Sequence, residues 1–323
     1  MPGPITHSIF YKELKTKLNK KTLDSLPNYD NYSVFAQGHD FLIYHNFYNP
    51  FKLNYSVGMA VLLQENRFAD FVYEYLKSAC ENGAIEDEQV RLFIGAGYIS
   101  HHLLDAYTHP HIIYFSGDYT KNPKHKTWYH GIAENLIDIY MMKTREGLDP
   151  KFYEVHKQFI INGVISAKLL DNIKLSFGTI YKIPNADVIF KKSFRDVALF
   201  MYVLKYDPIG IKRFLFDTID FLTKGSSSFS YHRDYQDALE YLNLEREEWT
   251  HPMFTDQTYN SSFIDSYDKA LNECAHIIDE LEKLCQHGFI HRDDIGNLIP
   301  DISSSHGGPC GQELEIRRTR RSN

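Results

Sequence analysis

Apolar side chains in this sequence recur three and four residues apart along most of its length, the spacing that gathers them on one face of an α-helix. In RFADFVYEYLKSAC, Phe68, Phe71, Val72 and Tyr75 form one such stripe, and the segment closes at Asn82-Gly83, a pair suited to a helix C-terminus. Similar patterns lie around residues 6–19, 87–107, 129–145, 152–175, 193–223, 232–242 and 262–286. Clusters such as KNPK, KIPNAD and KGSSS separate them. Strand-like alternation is sparse and no internal repeat is evident, so the expectation is an all-α fold. A chain of 323 residues that is 43% hydrophobic, with 23 Tyr and 22 Phe, can build one large multi-helical domain, expected at residues 1–300. Residues 301–323, with SSS, HGG and the arginines 317, 318, 320 and 321, are expected to be a disordered, solvated tail.

A net charge of −7 argues against a general nucleic-acid coat. The start, MPGPITHSIFYKELK, lacks the apolar core of a signal peptide, and nowhere do about 18 apolar residues run uninterrupted as a membrane span requires. The expected location is cytoplasmic. Cys80, Cys274, Cys285 and Cys310 match neither a zinc knuckle nor a redox pair and read as packing residues in a reducing compartment. There is no Gly-rich phosphate cradle and no nucleophilic serine motif. Trp249, His251 and Pro252 read as a packing anchor and turn.

Six of the sixteen histidines, His101, His102, His109, His111, His125 and His130, fall within thirty residues. On a helix, residues four apart share a face, so His101 with Asp105 and His130 with Glu134 each present an imidazole and a carboxylate to one point. That donor set suits zinc, and a carboxylate can bridge two ions, which an imidazole does not; Asp105 is the candidate bridge. Pro110 is expected to end the first helix, so that His111 approaches from a loop. His102 points about 100° from His101 and reads as core-facing or supporting. His109 and His125 stay open between substrate contact and surface.

The elements HHLLDAYTHPH and HGIAE, together with His7 in ITHSIF and Gln37-Gly38-x-Asp40 in FAQGHDFLIYHNFYNP, resemble the zinc-dependent phospholipase C family, in its intracellular bacterial form. NLEREEWTHP and SSFIDSYDKA add to the likeness, which spans about residues 5–285. The resemblance implies the multi-helical fold that this family shares with S1/P1-type nucleases. It implies two, possibly three zinc ions: one held by Asp40, His101 and Asp105, a second by His111, His130 and Glu134, and a third by His7 with Asp105 bridging. Where the family has a further histidine, ahead of the second helix's aromatic stripe, this sequence has Gln64, a poorer zinc ligand.

The implied activity is metal-assisted hydrolysis of a phosphodiester, with Asp40 and Asp105 as the catalytic carboxylates. The substrate class is a small phosphodiester or a phospholipid head group, with transient contact at a membrane surface. A nuclease or nucleotidase acting on nucleic acid is the alternative on the same fold, and a degenerate metal-binding scaffold is the alternative outside enzymes. No protein partner is implied.

Overall fold

The helices begin where the sequence supplies caps. The computed structural model describes residues 2–49, 58–64, 67–116, 126–205, 235–254, 256–287 and 290–312, with isolated residues between 209 and 218. Helix α1 (Pro4–Lys17) starts on a proline whose fixed φ suits a first helical position. Asn19 caps α2 (Lys20–Ser25) through Thr22 N, and Asp87 caps α5 (Glu88–Leu92) through Gln89 N and Val90 N. Between them lie a kinked 3₁₀ segment, Tyr29–Asp40, the short α3 (Phe41–Tyr44) and α4 (Phe68–Glu81). Helix α4 buries Phe68, Phe71, Val72 and Tyr75 as its spacing requires, and ends at Asn82 followed by Gly83 at φ +63°.

Helix α5 runs through a π-helical stretch, Phe93–Ile99, directly into α6 (Ser100–Ser116), and α7 (Lys126–Arg145) follows. The helix expected over 152–175 is in fact two elements. A 3₁₀ turn at Val155–Phe159 is cut off by Asn162-Gly163, and α8 (Ala167–Tyr181) starts afresh where the Ser166 hydroxyl accepts from Leu169 N. The next helix, α9 (Ala186–Leu204), starts seven residues earlier than the expected 193; residues 206–208 and 219–234 lie outside the described set. After α10 (Leu239–Leu242), the strands β1 (Trp249–Thr250) and β2 (Thr258–Tyr259) form a small antiparallel ribbon. The buried Trp249 stacks on Tyr259 there, as a packing anchor should. Helices α11 (Phe263–His287) and α12 (Arg292–Leu298) complete the fold, with Cys274 buried on α11. No helix among the described residues is long and apolar enough to cross a membrane.

Two expectations need correction because one segment was misjudged. Residues 301–312 are not a loose tail: Ser303, Ser304 and His306 are buried, and Ile302 bridges to Pro309. Residues 313–323, including the arginine run, lie outside the described set. This strap lies on α6 so closely that a Cβ on Gly307, at φ +68°, would sit 2.5 Å from the Ala106 carbonyl oxygen and 2.8 Å from Pro110 Cγ. Helix α6 accordingly runs straight through Pro110, which was expected to end it. An interior proline costs about 3 kcal/mol in an isolated helix, but here fifteen of the surrounding positions are buried and tertiary packing dominates.

Candidate metal centre

Four elements converge on one stripe of α6. Along that helix His101, Asp105 and His109 follow at four-residue intervals and so line one face. The 3₁₀ segment is pressed against the same face through two glycines. A Cβ on Gly97 would lie 2.9 Å from the Phe35 carbonyl oxygen, and one on Gly38 would lie 2.6 Å from His101 Cγ. Gly38 also has φ +50° and ψ −126°, a conformation that is costly for any residue with a side chain. His39 and Asp40 are thereby delivered beside His101, while α1 contributes His7.

The resulting nest is buried: His7, His39, Asp40, His101 and Asp105 are each at most 5% exposed. His7 Nε2 lies 3.0 Å from Asp105 Oδ1, and His101 Nε2 lies 3.3 Å from Asp105 Oδ2 and 3.6 Å from Asp40 Oδ1. Ligand atoms of His7, His101 and Asp105 fall within 4.8 Å of one another, as do those of His39, Asp40 and His101. Yet His7 Nε2, His101 Nε2, Asp40 Oδ1 and both Asp105 oxygens make no hydrogen bond among the described residues. Buried polar atoms at such distances normally pair, because each unpaired one costs about 1–3 kcal/mol. Four donors at about 2.0–2.1 Å from a tetrahedral ion would stand about 3.3 Å apart, so the nest has the spacing of a coordination shell. These residues fit a metal ion.

Their protonation states suit it as well. His101 Nδ1 donates to the Ala36 carbonyl at 3.0 Å, which leaves the Nε2 lone pair facing the nest. Burial drives His7 and His101 down to about 3, so both imidazoles are neutral. Burial raises Asp40 to about 6 and Asp105 to about 8.

This sets a pH signature for the metal-free protein. Between about 6.5, where an unfolded histidine titrates, and about 8, folded Asp105 holds a proton that the unfolded chain has lost, so stability falls as pH rises. Below that window the unfolded chain protonates at His7, His39, His101, His102 and His109, which burial keeps neutral in the folded one; these outnumber the protons that folded Asp40 and Asp105 hold, so stability falls as pH falls. A metal binds the ionised carboxylate. The zinc-induced rise in Tm is therefore expected to be larger at pH 8 than at pH 6; an equal rise at both would contradict it.

A second set stands one turn further along. His130 Nε2 lies 2.9 Å from Glu134 Oε1 and 3.1 Å from His109 Nε2, and the side chains of His130 and Glu134 are each 16% exposed. His109 Nδ1 donates to the Ser304 carbonyl in the strap at 2.6 Å, again turning Nε2 inward. His109 thus occupies the place expected of His111. Because α6 continues through Pro110, His111 is rotated away: its Nε2 donates to the Tyr241 carbonyl at 2.8 Å, and its ring packs on Phe115, Trp249 and Phe263. His109→Ala is expected to lower zinc content by about one equivalent, whereas His111→Ala should lower thermal stability with zinc content unchanged. The reverse pattern in elemental analysis would restore the sequence-based assignment.

The other candidates fall as follows. His102 faces the core, stacked on Phe68 with Nε2 donating to the Ile302 carbonyl. Gln64 is the last described residue of the helical stretch 58–64, where its carbonyl accepts from Ser303 Oγ and Ser304 N. His125 lies outside the described residues. His39 was missed, although it occupies the x of Gln37-Gly38-x-Asp40 and its side chain enters the nest with that of Asp40. Comparisons with protein-family models, with curated proteins and with solved structures found no match.

Proposed function

We propose that this chain is a zinc-dependent phosphodiester hydrolase, similar in activity to phospholipase C. The observation that carries the reading is the pair of adjoining donor sets on one helical stripe, with unpaired buried oxygens of Asp105 at the heart of the first. Zinc held there supplies Lewis acidity and a water that ionises near neutral pH. His7, Asp40, His101 and Asp105 form the deep end, His109, His130 and Glu134 the more accessible one. Asp105 directs its two oxygens to two different imidazoles, the posture of a bridging carboxylate. Asp40, whose carboxyl burial raises to about 6, would hold zinc through Oδ1, beside His101 Nε2, and orient the water there. The second set would hold a zinc ion through the imidazoles of His109 and His130 and the carboxylate of Glu134.

The test is hydrolysis of bis(p-nitrophenyl) phosphate by zinc-loaded protein. Turnover that a chelator abolishes and zinc restores supports the reading. Metal-replete protein with no turnover on this ester, on phosphatidylcholine vesicles or on single-stranded DNA would overturn it. Between those last two substrates, the reading expects the lipid head group to be preferred.

A further inference from the structure

His39 is fully buried, at 0% exposed, and neither of its ring nitrogens has a hydrogen-bond partner among the described residues. Its ring stands edge-on to that of His101 at 4.8 Å and to that of Tyr98 at 5.4 Å. Packing between rings satisfies carbon, not nitrogen. A neutral imidazole has one N–H to donate and one lone pair to share, and leaving both unmet in the interior is unfavourable. A cation would satisfy the lone pair, and the surroundings suit one: His39 Nε2 and His101 Nε2 each lie 3.6 Å from the same atom, Asp40 Oδ1. The backbone is bent specifically to achieve this, because only a glycine at position 38 lets the chain run flush against His101.

We propose that His39 is a ligand to a divalent cation of the zinc class, shared with Asp40 and His101. The inference rests on the metal-centre reading above and deepens it. His101 Nε2 has a single lone pair and can serve one ion only. With His39, that ion has two imidazoles and Asp40 in one compact group, with an Asp105 oxygen 3.3 Å from His101 Nε2 beside it. His7 and the other Asp105 oxygen, 3.0 Å apart, are then left to a neighbouring ion.

Cobalt(II), whose visible spectrum reports its ligands, is the probe, with zinc affinity measured in parallel on the full chain. His39→Ala removes the ligand, and His39→Phe keeps a ring in the same space without nitrogen. Both variants are expected to lose more than about 100-fold in affinity for the ion at this site, beyond the 10–100-fold that loss of an outer supporting partner costs. Both should also shift the cobalt bands, and free imidazole should restore the wild-type spectrum in His39→Ala but not in His39→Phe. Wild-type affinity and spectrum in both variants would overturn the assignment of His39 alone. A wild-type chain that takes up neither cobalt nor zinc would overturn the metal centre itself.

Discussion

Asp105→Asn is expected to yield a folded protein with phosphodiesterase activity reduced about a thousandfold or more, and with no stabilisation by zinc at the deep site. The substitution is nearly isosteric, so the fully buried position is neither emptied nor overfilled. It also matches the charge state of the metal-free protein, in which burial raises Asp105 to about 8 and the carboxyl is neutral at pH 7. The metal-free Tm should therefore change little, or rise above pH 8. What is lost is the anion. An amide oxygen bears no charge to offset two cations, and the amide nitrogen would face His7 Nε2 or His101 Nε2, now at 3.0 and 3.3 Å from the carboxylate. Zinc at a thousand times its dissociation constant stabilises a folded protein by about 4 kcal/mol, so the missing increment is large enough to read by thermal denaturation. A variant as active as wild type would remove the basis for a bridged pair of ions.

Whether a part of this protein was legible in its sequence depended on how local its cause is. His101 with Asp105 and His130 with Glu134 converge because each pair lies within one helical turn, a relation the spacing states outright. The stripe of α4 and its Asn82-Gly83 terminus are local in the same sense. Asp40 and His7 could be placed only through a likeness of motifs, since their approach to α6 depends on Gly38 and Gly97 meeting His101 and Phe35 across the fold. The exchange of His109 for His111 had one local signal, the four-residue spacing of His101, Asp105 and His109, which points to a site only if the helix continues past His109. It follows from Pro110 being absorbed into a helix, and from Ser304, 195 residues away, orienting His109. A serine- and glycine-rich end resembles a solvated tail in composition. Here those small residues let a strap lie against a helix backbone, and composition does not distinguish the two.

The other large effect lies outside both donor sets. Asp138→Ala is expected to destabilise the metal-free protein by about 3–5 kcal/mol and to lower its Tm by about 4–7 °C. Helix α1 has no cap of its own; the Asp138 carboxylate of α7, fully buried, accepts from Ile5 N at 3.1 Å, Thr6 N at 2.8 Å and Thr6 Oγ1 at 2.6 Å. Removing it strands these donors in the interior at the positive end of the helix dipole. No nearby water-exposed path relieves them, since Ile5 and Thr6 are 0% exposed. Gly3 is part of the same joint, because a Cβ there would lie 2.3 Å from Asp138 Oδ2. His7 is the next residue along, so an unseated α1 start moves the imidazole away from Asp105. Asp138→Asn, which keeps one acceptor and sets an N–H against another N–H, should fall between the two. Zinc binds the folded state and should return part of the lost stability, at lower affinity than in wild type. Thermal denaturation of the three proteins with and without zinc checks this. A metal-free Asp138→Ala protein melting within about 1 °C of wild type, a shift worth less than 1 kcal/mol, would show that α1 is held by its apolar face alone.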